Sequence, residues 1–138
     1  PGTFRPIRVQ QIEKHEMDPE MAHVSSDAAD QISEARNQGR RIIAVGTSVV
    51  RTLEGRAIGN KRGGITIQPG HGPVSLFIVP GYKFQVVSGL VTNFHLPCST
   101  LLLLVSALAG REAILNAYEK ALGKGYRFYS YGDAMLIL

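Results

Sequence analysis

The sequence predicts an α/β fold, a mixed, largely parallel sheet flanked by helices. Three observations carry that expectation. Arg41-Ile42-Ile43-Ala44-Val45 is a continuous apolar run behind a single base, the pattern of a strand buried on both faces. A helical segment precedes this strand and another follows it through a tight turn, a succession that implies a crossover. Thr100 to Ala109 is apolar on every side, which a helix tolerates only when covered.

The elements follow in order. Thr3 to Val9 is a strand candidate interrupted at Pro6, which suits an edge or a bulge. Ile12 to Pro19 is charged and reads as irregular, and Met21 to Val24 as a short strand. Ser25 and Ser26 offer N-caps to a helix with Ala28, Ile32 and Ala35 on one face, and Gly39 stands where such a helix ends. After the Arg41–Val45 strand, Gly46-Thr47-Ser48 turns the chain into a short helix from Val49 to Glu54. The glycine-rich stretch from Gly55 to Pro73 reads as a long flexible loop, because it lacks the apolar residues of a core. Ser75 to Val79, Tyr82 to Val87 and Gly89 to His95 are expected strands. Ser99 caps the Thr100–Ala109 helix, and Gly110 breaks it. Arg111 to Leu122 is amphipathic, with Ile114, Leu115, Tyr118 and Leu122 on one stripe. Gly123 and Gly125 close it before a final strand from Tyr126 to Tyr131.

With 138 residues the chain suits one domain. Its longest apolar stretch, Leu101 to Val105, is far short of the roughly 20 residues that cross a bilayer, so no membrane partner is expected. No charged-then-apolar signal opens the sequence, and a cytoplasmic location is expected. The net charge of +4 is compatible with an anionic partner without demanding one. A single cysteine, Cys98, excludes an internal disulfide and a cysteine-rich zinc site. Both ends read as cuts through or beside sheet strands.

Four segments carry chemistry. Gly46-Thr47-Ser48 lies between a strand and a helix start, where free amides and the helix dipole favour an anion, although a simple turn and cap explain it equally. Neither a Walker loop nor a G-x-G-x-x-G fingerprint is present. In Val91-Thr92-Asn93-Phe94-His95, period-two alternation sends Asn93 and His95 to one face and Thr92 and Phe94 to the other. His15-Glu16-Met17-Asp18-Pro19-Glu20 gathers an imidazole with carboxylates but is not H-E-x-x-H. With His23 and His71 scattered elsewhere, no metal site is expected. Tyr126 to Asp133 interleaves aromatics with a base, which serves either packing or stacking on nucleobases.

The order of these segments is more specific than any one of them. Gly2-Thr3-Phe4-Arg5-Pro6, Val45-Gly46-Thr47, Arg51-Thr52-Leu53-Glu54, Pro80-Gly81-Tyr82, Thr92-Asn93-Phe94-His95-Leu96-Pro97, Ser99-Thr100-Leu101, Ala109-Gly110-Arg111-Glu112 and Gly132-Asp133-Ala134-Met135 together resemble the S-adenosylmethionine:tRNA ribosyltransferase-isomerase family of queuosine biosynthesis, nearly from end to end. The resemblance implies a reaction in which S-adenosylmethionine is a substrate and ribosyl donor rather than a cofactor. The ribosyl group passes to 7-aminomethyl-7-deazaguanine at the tRNA wobble position and isomerises to give epoxyqueuosine. It implies His95, Asp133 and His15 as catalytic candidates. Gly46, Thr47, Arg51, Asn93, Arg111 and Tyr131 are the substrate-binding candidates. The tRNA anticodon loop would be the partner, with phosphates met by Arg51, Lys61, Arg62, Arg111 and Arg127. The family's chain is longer, so residues 1–138 are expected to be the C-terminal portion of its large α/β domain. The N-terminal part and a small β-barrel would then be missing, and the isolated piece inactive.

Three departures accompany the resemblance. This chain has Asp18-Pro19 where the family usually has His-Ser, Gly46-Thr47-Ser48-Val49-Val50-Arg51 where it usually reads Gly-Thr-Thr-Ser-Val-Arg, and Ser88 where an acid is common. They leave a second reading open, a non-catalytic RNA-binding module or inactive paralogue of the same fold.

Overall fold

A computed structural model describes residues 17–60 and 63–138. Its strands and helices follow the order β1 (Glu20–Val24), α1 (Ser26–Asn37), β2 (Ile43–Val45), α2 (Thr47–Gly55), β3 (Ala57–Gly59), β4 (Ile65–Ile67), β5 (Gly70–Val74), β6 (Gly89–Asn93), α3 (Thr100–Ala109), α4 (Arg111–Gly123) and β7 (Ala134–Ile137). The class is the expected mixed α/β one, but the described strands are not largely parallel, because one pair is parallel and three are antiparallel. A three-stranded sheet ordered β2-β6-β7 joins a parallel β2–β6 pair to an antiparallel β6–β7 pair. Antiparallel pairs β1–β5 and β3–β4 stand beside it. The expected strand over Thr3–Val9 lies outside the described residues.

Local chemistry sets the helices as expected. Ser25 Oγ accepts from the Ala28 amide at 3.3 Å to open α1. Arg40 N donates to Ala35 O and Gly39 N to Arg36 O, the paired closure that ends it. Ser99 caps α3 through Leu102 N at 3.2 Å, and Gly110 turns the chain through 114° into α4. No residue of α3 is exposed, and Leu104 and Val105 sit in the main core with Val50, Leu90, Phe94 and Tyr118.

Tertiary context overturned several expectations. The Arg41–Val45 run is buried on one face only. Ala44 is 2% exposed, but Val45 on the opposite face is 69% exposed because the sheet carries its core on one side. The stretch from Gly55 to Pro73 is no structureless loop. It folds into β3, β4 and β5, because β3 and β4 pair with each other, β5 pairs with β1, and side chains of α1 close the free edge of β4. Asn37 both donates to Ile65 O and accepts from Ile65 N, each at 2.9 Å, and Ser33 Oγ accepts from Ile67 N. Ser75–Val79 and Tyr82–Val87 are not strands. Instead, the Glu54 carboxylate, 4% exposed, accepts the amides of Gln85, Val86 and Val87 at 2.8–2.9 Å and the Tyr82 hydroxyl at 3.1 Å. A carboxylate with three amide donors does for this backbone what a neighbouring strand would. On α4 the buried stripe is Ile114, Tyr118 and Ala121, while Leu115 and Leu122 point outward.

Tyr126–Tyr131 is likewise not a strand. The segment is a closed loop, in which Asp133 Oδ2 accepts from Arg127 N at 2.7 Å and Asp133 N donates back to Arg127 O at 2.8 Å. Its aromatics pack inward on Phe94. Phe128 lies 5.2 Å from it and Tyr126 5.8 Å, between ring centres.

Candidate functional site

The parallel pair β2–β6 directs two chain segments to the same end of the sheet. Beyond β2, Gly46 continues the ladder with its amide donating to Val91 O at 2.9 Å, then turns at φ 95° into α2. An L side chain is strained at that φ, and glycine is not. Gly46 is also the N-cap of α2 and has no side chain to cover the helix's first amides, leaving an end suited to a carboxylate or phosphate. Beyond β6, the chain passes through Phe94 and His95 to α3.

A cavity of about 410 Å³ opens between these segments, bounded by Gly46, Thr47, Asn93, His95, Ser99 and Tyr129 among others. Its position outside the carboxyl ends of β2 and β6 is where open α/β sheets collect ligands. A larger cavity, about 690 Å³, flanks α2 and shares Ser48 and Val49 with the first. It holds neither Asn93 nor His95.

His95 is held from two sides. Its amide donates to the Tyr118 hydroxyl at 2.8 Å, and its Nε2 lies 3.1 Å from Thr92 Oγ1. Burial lowers its pKa to about 4, so at neutral pH the ring is uncharged. The expected alternation holds in burial, with Thr92 and Phe94 buried and Asn93 and His95 half-buried, but β6 ends at Asn93 and the His95 ring folds back onto Thr92. Burial also raises the Tyr118 phenol, although the bond from the His95 amide opposes the shift.

The structure therefore assembles four of the expected residues, Gly46, Thr47, Asn93 and His95, at one cavity. Asp133 lies beside them, but not as a residue ending a strand. It precedes β7, whose first residue pairs with Asn93. Asn93 Nδ2 donates to both Gly132 O and Asp133 O at 3.3 Å, while the Asp133 carboxylate turns away to Arg127 N. Asp133 thus shapes the loop that brings Tyr129 and Ser130 to the cavity rim. Tyr131, 98% exposed, lies one residue beyond that rim.

Arg51 is placed elsewhere. It is buried on α2, donating to Leu76 O at 3.0 Å and to Glu20 at 3.2 Å. Burial pulls its pKa below the usual value and Glu20 opposes the shift. Arg111 is exposed at the start of α4 and away from the cavity. His15, Lys61 and Arg62 lie outside the described residues. His23 and His71 are cross-strand partners with rings 6.4 Å apart. Even so, no group of three His, Cys, Asp or Glu converges among the described residues.

Thr92, Tyr118 and Ser99 went unremarked as site residues. Thr92 meets the site because the His95 ring folds back onto it, and Tyr118 comes from 23 residues away, beyond any local pattern.

Known proteins are similar to this chain. Residues 1–137 match the family model described as queuosine biosynthesis protein. A Heliobacterium modesticaldum protein named S-adenosylmethionine:tRNA ribosyltransferase-isomerase is 58% identical over 99% of this chain, and its Desulfitobacterium hafniense namesake is 54% identical over the same share. The chain spans 39% of the length of each. The crystal structure of S-adenosylmethionine tRNA ribosyltransferase from Thermotoga maritima superposes with a TM-score of 0.72 at 44% identity. That match covers 86% of this chain and 40% of the other. With a match that runs through both strand–turn segments of the cavity, this chain belongs to the queuosine biosynthesis protein family.

Proposed function

We propose that this chain supplies the C-terminal portion of the large α/β domain of a tRNA-modifying ribosyltransferase-isomerase that works in the cytoplasm. The rest of that domain and a small barrel complete the enzyme. In this reading S-adenosylmethionine donates its ribosyl group to 7-aminomethyl-7-deazaguanine at the wobble position of tRNA, and isomerisation yields epoxyqueuosine. The observation that carries the proposal is the meeting of Gly46-Thr47 with Asn93 and His95 at one cavity, in a chain 58% identical to a protein of that name.

The reaction asks for a base to take a proton beside the sulfonium and for groups that hold an anion and a base in register. His95 has the state for the first task, since its buried ring is neutral at pH 7. The uncapped start of α2 suits a carboxylate, and Asn93, tethered to the Gly132–Asp133 backbone, fixes the opposite wall.

The test is His95→Ala in the complete protein, with adenine release and epoxyqueuosine formation followed on precursor tRNA. Turnover should fall roughly 10²–10⁴-fold, as when a positioned proton-transfer group is removed. The melting temperature should fall by only a few degrees, the cost of the lost Thr92 bond. Early unfolding with near-normal turnover in the cold would make His95 a packing residue.

A further inference from the structure

On the far side of Phe94 from the cavity is a second cleft, of about 350 Å³, at the C-terminal end of α4. Phe94 lines both, so only one residue separates them. We propose that this cleft is an RNA contact for a nucleotide next to the one modified, an inference that rests on tRNA being the substrate. Lys120 and Lys124 meet its phosphate, and Tyr126 its base.

The turn that ends α4 builds the cleft. Gly125 adopts φ 74°, and Tyr126 N donates to Ala121 O at 3.0 Å while Gly125 N donates to Leu122 O at 3.1 Å. This closure throws Tyr126 back over the last turn of the helix, beside the residues it follows. Lys120 and Lys124, one helical turn apart, therefore share one cleft with the Tyr126 ring. The floor is apolar, formed by Phe94, Ala121 and Met135, and no carboxylate lines it. Tyr126 has one edge fixed, packed against Phe94 at 5.8 Å, yet is 45% exposed.

A held, half-exposed aromatic ring beside two unopposed ammonium groups matches a single-stranded nucleotide, which offers a π-face and a phosphate together. An acidic peptide answers the lysines but leaves the ring without a partner. The location fits as well. An enzyme that modifies one base of a loop must hold its neighbours, and this cleft lies one side chain from the proposed site.

The test measures binding of an anticodon stem-loop RNA to the complete protein by fluorescence anisotropy at several salt concentrations. The variants are Lys120→Gln/Lys124→Gln and Tyr126→Leu, and S-adenosylmethionine binding is measured alongside. The double variant should bind about ten-fold more weakly. Its slope of log affinity against log salt should be shallower by about 0.7, the value for one single-strand phosphate contact. Tyr126→Leu should weaken binding about five-fold or more with the slope unchanged, as loss of a stacked base does. S-adenosylmethionine binding should be unaltered in both. Wild-type affinity and slope in the double variant, with RNA still bound, would overturn this cleft alone. If Tyr126→Leu alone binds normally, the base contact is wrong. Wild-type protein that binds no RNA would overturn the functional reading and this inference with it.

Discussion

The two ends of α2 carry polar residues of similar kind and use them in opposite ways. From its middle to its far end Arg51 and Glu54 are 3% and 4% exposed, and the Glu54 carboxylate serves Gln85, Val86, Val87 and Tyr82. At the near end Gly46 leaves the helix start uncovered and faces a cavity with His95 and Asn93. A buried charge whose bonds all go to the scaffold organises backbone. A polar group left beside empty space is available to a ligand. The contrast teaches that charge on a motif-bearing helix does not by itself identify a site residue, and Glu54 is the example.

The sharpest way to break this comparison is at Glu54. Glu54→Ala should cost on the order of 3–5 kcal/mol, since it strands several buried donors at once. Urea denaturation of the complete protein measures it. A cost below about 1 kcal/mol would mean that water or a neighbour replaces the carboxylate easily. The Tyr82 phenol offers a second reading of the same bond. Burial first, and then Glu54, raises it to about 12, and the substitution should bring it down.

The site end makes a pH prediction. His95 has its folded-state pKa near 4 against an ordinary 6.5. Between those values the unfolded chain binds the proton and the folded chain resists it, so stability falls as pH drops through that window. It is fully present above pH 6.5 and fully lost below pH 4. The contribution is at most about 3 kcal/mol. His95→Gln should remove this part of the pH dependence, and stability curves of the two proteins that run parallel from pH 7 to pH 4 would refute it.

Thr92→Val is the smallest expected effect. It deletes the hydroxyl beside His95 Nε2 with little change of shape, so stability should drop by about 1 kcal/mol. The imidazole titration, followed by NMR, should move at the same time. A large loss of stability with an unmoved titration would make Thr92 a packing residue and blur the line between the two ends of the helix.

The sequence by itself determined what depends on neighbouring residues. Ser25 and Ser99 as caps, Gly39 and Gly110 as stops, and the Gly46 turn into α2 all follow from backbone chemistry within a few residues. The meeting of Gly46, Thr47, Asn93 and His95 at one cavity depends on the parallel β2–β6 pair. The tertiary structure decided where local pattern has no authority. The edge of Ile65–Ile67 that β3 leaves free is closed by Asn37 and Ser33 reaching from α1, and Tyr82–Val87 is not a strand because Glu54 satisfies that backbone from the side. A backbone amide needs a partner and is indifferent to whether a strand or a side chain supplies it. The supplier in both cases lies some 30 residues away in sequence, at separations of 28 to 34, and only the folded chain brings it within bonding distance.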